Sequence, residues 1–119
     1  MGYPRAVHYA AAIAVAAVVP SAPAHADYTG NDVLKDCSVG ATWSTGACFG
    51  RVIGAVKGVQ LMASLSGQPA PFCMRDNVTN GQVVDVVTVW LRAHPSERDL
   101  DSEVVTSLAL RDAFPCAKK

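Results

Sequence analysis

The chain has 119 residues, of which 50% are hydrophobic, and its ten basic side chains balance its ten acidic ones. This length predicts a single domain. The balanced charge leaves no basic footprint for nucleic acid or anionic lipid, so the sequence argues against both partners.

The first 26 residues have the three-part layout of a secretory signal peptide. Arg5 supplies the positive charge, the apolar run YAAAIAVAAVV follows, and Ala24-His25-Ala26 forms an A-x-A cleavage site. The apolar run is shorter than the roughly 20 residues that span a membrane. We therefore expect residues 1–26 to be removed after Ala26, and an exported domain of residues 27–119 without a membrane anchor.

A short helix is predicted over residues 31–39, because Val33, Leu34 and Cys37 fall on one helical face. Asn31 or Thr29 is a suitable N-cap. Asp32 and Asp36 lie one turn apart on the same helix. That pair fits a solvated face or a cation or acid/base site, and we favour the solvated face.

A longer helix is predicted from Gly46 to Leu65, after a turn-rich link in which Ser44 or Thr45 can cap it. Arg51 and Lys57 indicate a soluble helix rather than a membrane span. Its unusual feature is a glycine at every fourth position: Gly46, Gly50, Gly54 and Gly58.

Each glycine inside a helix costs about 1 kcal/mol relative to alanine. Residues four apart lie on one side of a helix, so the glycines form a groove without side chains. We expect another backbone to pack closely against this groove, as in small-xxx-small ladders. Gly50 is then a core position, Gly58 an interface position, and a side chain at Gly54 destabilises the protein.

Two more helices follow a loop over residues 66–78. Thr79 and Gln82 form a capping box, and apolar residues recur at helical spacing until the His94-Pro95 stop. The β-branched run VVDVVTV also suits a strand, but the cap, length and stop favour a helix. The last helix is predicted from Leu100 to Ala113, with one apolar face: Leu100, Val104, Val105, Leu108 and Ala109.

The four cysteines all follow the signal segment, as expected of a disulfide framework in a small exported domain. Their spacing matches no zinc pattern, since there is no C-x-x-C and no histidine pair. Of the three possible pairings, we predict Cys37–Cys48 across the first link and Cys73–Cys116 between the loop and the chain end. The fold class is therefore all-α, with three main helices and one short N-terminal helix, stapled by two disulfides.

The sequence after residue 26 has no evident catalytic set. His94 precedes Pro95, where its expected role is to contact the last helix carbonyls. The cysteines are expected to be oxidised, and no phosphate loop or metal cluster is present. Trp43 and Trp90 are interpreted as core or interface residues. A binding module without cofactor or metal is favoured over an enzyme.

Several short motifs occur in a characteristic order: Thr29-Gly30-Asn31-Asp32-Val33-Leu34 with Cys37, the stretch GACFGRVIGAV, Cys73, Thr79 with Gln82, His94-Pro95 and Ala113-Phe114-Pro115-Cys116. This order resembles the Rap/Tai family of immunity proteins, which protect bacteria against type VI secretion amidase effectors. The resemblance implies an exported, all-helical, disulfide-containing protein. Such a protein binds and occludes a peptidoglycan amidase in the periplasm, and a homodimer is possible.

Two alternatives remain open from the sequence. One is a periplasmic stress or chaperone-like helical protein of the acid-resistance type. The other is an accessory interaction protein without a toxin partner. An adjacent gene for a small amidase with catalytic Cys and His would favour the immunity protein.

Overall fold

The computed structural model describes Gly2, residues 28–38 and residues 42–118, without the side chains of residues 42–44. The expected signal peptide, its cleavage site, part of the first link and the Trp43 side chain lie outside the described part. Four α-helices follow in order: α1 Gly30–Ser38, α2 Thr42–Ser66, α3 Asn80–Ala93 and α4 Ser102–Ala113. A short 3₁₀-helix, Pro95–Glu97, connects α3 and α4. The predicted all-α fold is confirmed.

Three helix starts differ from the sequence prediction. The helix α1 begins at Gly30 rather than Asn31, α2 at Thr42 rather than Gly46, and α4 at Ser102 rather than Leu100. Helix propensities of Ser and Thr differ from those of good helix formers by under about 1 kcal/mol, so packing overrides them at helix ends. The start of α3 is as predicted, because the Thr79 hydroxyl accepts a hydrogen bond from the Gln82 N–H at 3.1 Å.

The core lies between the four helices, with α2 packed against the other three. Each helix contributes fully buried side chains, among them Val33, Val52, Val87, Leu91, Val105 and Leu110. The predicted apolar face of α4 is correct for Val105 and Ala109, which are buried, but wrong for Val104, which is 43% exposed. The buried stripe is Ser102, Val105, Thr106, Ala109 and Leu110. It includes Thr106, whose hydroxyl is buried without a hydrogen-bond partner among the described residues.

Both disulfides have the predicted pairing. Cys37 bonds to Cys48 and Cys73 bonds to Cys116, with Cα–Cα distances of 4.9 Å in each case. The first bond joins α1 to the second turn of α2. The second ties the loop after α2 to the chain end, where the Cys73 N–H also donates to the Phe114 carbonyl at 2.9 Å. The longer loop restrains the unfolded chain by roughly 4 kcal/mol in the chain-entropy description.

A backbone strap joins the start of α1 to the segment before α4. Thr29 and Asp101 form an isolated antiparallel bridge. The Gly30 N–H donates to the Leu100 carbonyl at 3.0 Å, and the Ser102 N–H donates to the Tyr28 carbonyl at 2.7 Å. The strap therefore holds the start of α1 against the segment before α4 through hydrogen bonds alone.

Gly30 is the glycine at which close packing is required. It is buried, and a Cβ atom there would lie 2.8 Å from Leu91 Cδ2 and 3.2 Å from the Arg98 backbone. At Gly46, Gly50, Gly54 and Gly58 a Cβ would meet no atom within 4 Å. The expectation that Gly50 is a core position was therefore wrong, and Gly54 likewise lacks the close packing within the chain that was expected of it, because this side of α2 faces away from the bundle.

The first turn of α1 is closed by the carboxylate of Asp32, which bonds back to Thr29. Asp32 Oδ2 accepts hydrogen bonds from the Thr29 N–H at 3.0 Å and from the Thr29 hydroxyl at 2.9 Å. The backbone bond, then the hydroxyl bond, and then the charges of Lys35 and Arg51 hold the pKa of Asp32 below its ordinary value. Asp32 is therefore a capping residue, as in a capping box.

We expect alanine substitution to have opposite effects at the confined Gly30 and at an open glycine of α2. We expect Gly30→Ala to lower the free energy of unfolding by about 1–3 kcal/mol, because the Arg98 backbone must move. Gly54→Ala should raise it by up to about 1 kcal/mol, because alanine has the higher helix propensity. Urea denaturation of the two variants measures both values. A loss of stability in Gly54→Ala at low protein concentration would contradict the open position of this glycine.

The lowered pKa of Asp32 predicts a pH dependence. Its contribution to stability is complete above the unfolded-state pKa of about 4 and is lost as the pH falls through the lower folded-state value. Asp32→Asn removes this contribution, so the stability difference between wild type and variant should narrow below about pH 4. Denaturant titrations at a series of pH values test this. A difference that stays constant through the acid range would show that the cap is not ionic.

Candidate binding surfaces

The acidic residues of α1 are engaged within the fold. Asp32 caps α1, and Asp36 accepts a hydrogen bond from the Tyr28 hydroxyl. The Arg51 guanidinium lies over the Tyr28 ring at 3.9 Å from its centroid. The pair lies on a partly exposed face, and its carboxylates also bond within the fold: Asp32 bonds to Thr29, and Asp36 is linked through Tyr28 to Arg51 of α2.

His94 has the role predicted for it at the end of α3. Its N–H donates to the Trp90 carbonyl at 3.0 Å, and Nδ1 of the ring lies 2.8 Å from the same oxygen. Among residues 28–38 and 42–118, no group of three or more His, Cys, Asp or Glu side chains is placed to hold a metal ion. The notable features of the described surface are two apolar areas.

The first area is the outer face of α2, opposite the buried Val52. Nine residues between Gly46 and Leu65 share this face within an arc of about 120°: Gly46, Ala47, Gly50, Gly54, Lys57, Gly58, Leu61, Ser64 and Leu65. The exposed fractions of Leu61 and Leu65 are 59% and 73%. The glycines are thus followed along the helix by two large side chains in open solvent, with Lys57 as the one charge on the face.

The helix α2 is also apolar along its length. Its segment Thr45–Ser66 is long and apolar enough to cross a membrane by length and composition. Its inner face, however, is packed against the other helices through Cys48, Val52, Ala55 and Val56. Only 22% of its most apolar window is buried, so α2 packs against the bundle along one side and leaves most of its surface exposed.

The second area is a groove between α3 and α4, with a volume of about 500 Å³. Its surface is almost entirely apolar, and all of its lining residues come from α3, α4 and the residue after α3: Gln82, Asp85, Val86, Val89, Trp90, Ala93, His94, Ala109, Asp112 and Ala113. Val89 is 61% exposed. Clefts of this size and character are typical of binding sites.

One side of this groove is an ordered aromatic cluster. The His94 ring stacks on Trp90 with 4.1 Å between the ring centroids. The Trp90 indole N–H donates to Asp112 Oδ2 at 2.8 Å, which links α3 to α4. Asp112 also lies near Arg111, but the closest approach is 3.8 Å and both side chains are more than half exposed. Trp90 is therefore half-buried: it packs against the core and also lines the groove, as the expectation of a core or interface residue allows.

Sequence reasoning did not find this groove. It placed Trp90 in the core or at an interface and assigned no role to Val89, Ala93 or Ala113. A possible signal was the alanine spacing, because Ala109 and Ala113 lie one turn apart and leave room beside the larger side chains of α3. The pairing of these two helix faces is a tertiary feature, and periodicity within one helix does not specify it.

Comparison with known proteins gives one match. The family model of Rap1a immunity proteins matches residues 29–116 of this chain. No curated protein and no solved structure matches it. The matched range contains all four helices and all four cysteines, from the strap residue Thr29 to the last disulfide partner Cys116.

Proposed function

The chain belongs to the Rap1a immunity protein family, and from this premise we propose that it binds and occludes a peptidoglycan amidase effector of type VI secretion. The observation that carries the proposal is the family match over residues 29–116, which spans the whole helical bundle. An immunity protein of this family acts through an effector partner. The two exposed apolar areas are suited to protein contacts, so we assign the chain a binding role without catalysis.

The proposed compartment is the periplasm. The three-part N-terminal segment supports export with cleavage after Ala26. The two disulfides support the same compartment, because such bonds form and persist in oxidising environments. The periplasm contains the peptidoglycan that such an amidase cleaves. The mature inhibitor, beginning at Asp27, would bind the amidase there before it cuts the cell wall.

The amidase assignment predicts stoichiometric inhibition. The mature chain should abolish peptidoglycan hydrolysis by its cognate amidase effector, to be sought among the products of adjacent genes, once the two are equimolar. Hydrolysis is measured as the release of soluble muropeptides. The intact mass of the inhibitor recovered from the periplasm shows whether the mature chain begins at Asp27. Undiminished hydrolysis with the chain in molar excess would refute this assignment. A variant with all four cysteines replaced by serine is the control. It should fail to inhibit if inhibition requires the folded bundle.

The same proposal includes a homodimer through the outer face of α2. An antiparallel pairing that sets Gly46 opposite Leu65 of a second copy also sets Gly50 opposite Leu61 and Gly54 opposite Lys57. Each large side chain then covers a glycine, which lets the two helices approach closely. This complementarity supports a second copy as occupant, because among the described residues no atom beyond the neighbouring helix backbone lies within 4 Å of where a Cβ would stand at these glycines. The glycine cost in α2 is offset by this contact.

The dimer is tested with substitutions that leave the monomer core untouched. Leu61→Asp should abolish the dimer, because it places a carboxylate in the apolar contact. Val104→Asp is the matched control, since Val104 is an exposed apolar residue on α4. Sedimentation equilibrium measures the association.

Either of two results would overturn this interface. In the first, wild type is a monomer at all concentrations. In the second, Leu61→Asp dimerises as wild type does. Flotation with lipid vesicles in the same series separates a second copy from a membrane surface, since lipid binding lost in Leu61→Asp would assign the face to lipid instead.

A further inference from the structure

We infer that the groove between α3 and α4 receives an amphipathic helix of the effector, with apolar side chains in the groove and Lys or Arg side chains beside Asp85 and Asp112. The identity of the partner as an effector rests on the proposed function. The inference adds the surface that it occupies and the chemistry by which it is recognised. The groove lies on α3 and α4 and shares no residue with the outer face of α2.

The shape of the groove fits a helix. Its lining on α3 runs from Gln82 to Ala93, a distance of about 17 Å or three helical turns. The floor is lowered by the small side chains of Ala109 and Ala113 on α4, while Val86 and Val89 stand beside them on α3. A concave strip between two helices is the surface into which an amphipathic helix places its apolar face.

The apolar content of the groove supplies the driving force. Val89 is 61% exposed and Trp90 is half-buried, so large apolar surfaces face water in the free protein. Removing such surface from water favours association. The Trp90 ring is already fixed between His94 and Asp112, which reduces the side-chain entropy that binding must remove.

The charges at the groove select the sign of the partner. Asp85 and Asp112 are exposed, and both line the groove. The Trp90 N–H holds one oxygen of Asp112 in place. Arg111 approaches the other oxygen only to 3.8 Å, and exposed pairs of this kind interact weakly. An acidic rim attracts a cationic helix and disfavours an anionic one.

The groove is tested directly with designed peptides. The probe is a helical peptide of about four turns with Leu on one face and Lys beside it. A second peptide has Glu in place of Lys, and a third has Ser in place of Leu. Binding is followed by Trp90 emission in a Trp43→Phe background, where Trp90 is the remaining tryptophan of the two in the chain.

The expected result is binding of the Leu/Lys peptide, weakened by about tenfold or more for the Glu peptide and abolished for the Ser peptide. Val89→Arg should abolish binding, because it places a cation and a long side chain in the groove. Val104→Arg is the matched control and should bind as wild type does. Asp85→Asn should weaken binding of the Leu/Lys peptide while leaving that of the Glu peptide unchanged or tighter.

Three results would overturn the inference. The Leu/Lys peptide does not bind, or Val89→Arg binds it as wild type does, or the Glu peptide binds as tightly as the Lys peptide. A dimer that dissociates in Val89→Arg but not in Val104→Arg would assign the groove to a second copy instead.

The amidase assay separates this inference from the proposed function. Inhibition by wild type but not by Val89→Arg supports both. Equal inhibition by the two proteins refutes the groove as the effector site and leaves the amidase proposal intact. Failure of wild type to inhibit refutes the amidase proposal, while the peptide series still decides whether the groove accepts a cationic amphipathic helix.

Discussion

The strap between Thr29 and Asp101 is the constraint on which the arrangement of the helices depends. It holds the first residues of α1 against the segment that precedes α4, and it does so with backbone hydrogen bonds at the partly buried edge of the fold. Gly30 lies in contact distance of Leu91 and of the Arg98 backbone, so there is no room for a side chain. The contacts at Gly30 therefore set how closely the strap approaches the end of α3, and this fixes the position of α1.

The two disulfides and the backbone strap hold different parts of this small domain together. The Cys37–Cys48 bond holds one end of α1 to α2, while the strap holds the other end to the region before α4. The Cys73–Cys116 bond closes the opposite end of the chain onto the loop after α2. A domain of this size has a limited core, and such ties compensate for it. They also keep the exposed helix faces in fixed positions, which lowers the entropic cost of binding.

The two apolar surfaces differ in chemistry, and this difference suggests a division of roles. The outer face of α2 combines glycines with Leu61, Leu65 and a cation, Lys57, and the proposed antiparallel pairing sets its large side chains against its glycines. The α3–α4 groove combines alanines and valines with two carboxylates. It is therefore complementary to a different, cationic surface. A protein that associates with itself and with an effector needs two surfaces of this kind.

The sequence by itself determined the helical class, the disulfide pairing, the start of α3 at Thr79 and the role of His94. These features depend on local patterns: periodicity, caps, a proline stop and the positions of cysteines relative to helix ends. The resemblance to immunity proteins was also available from short motifs in their order along the chain, and the family match agrees with it.

Only the tertiary structure decided which glycine is confined and which side chains meet. The spacing of Gly46, Gly50, Gly54 and Gly58 was visible in the sequence, but not that this side of α2 faces solvent. Gly30 carried no such signal, because its confinement comes from Leu91 and Arg98, more than sixty residues away along the chain. The α3–α4 groove likewise depends on the relative rotation of two helices. Local patterns fix which helices form, whereas packing between distant segments fixes which surface each helix leaves free.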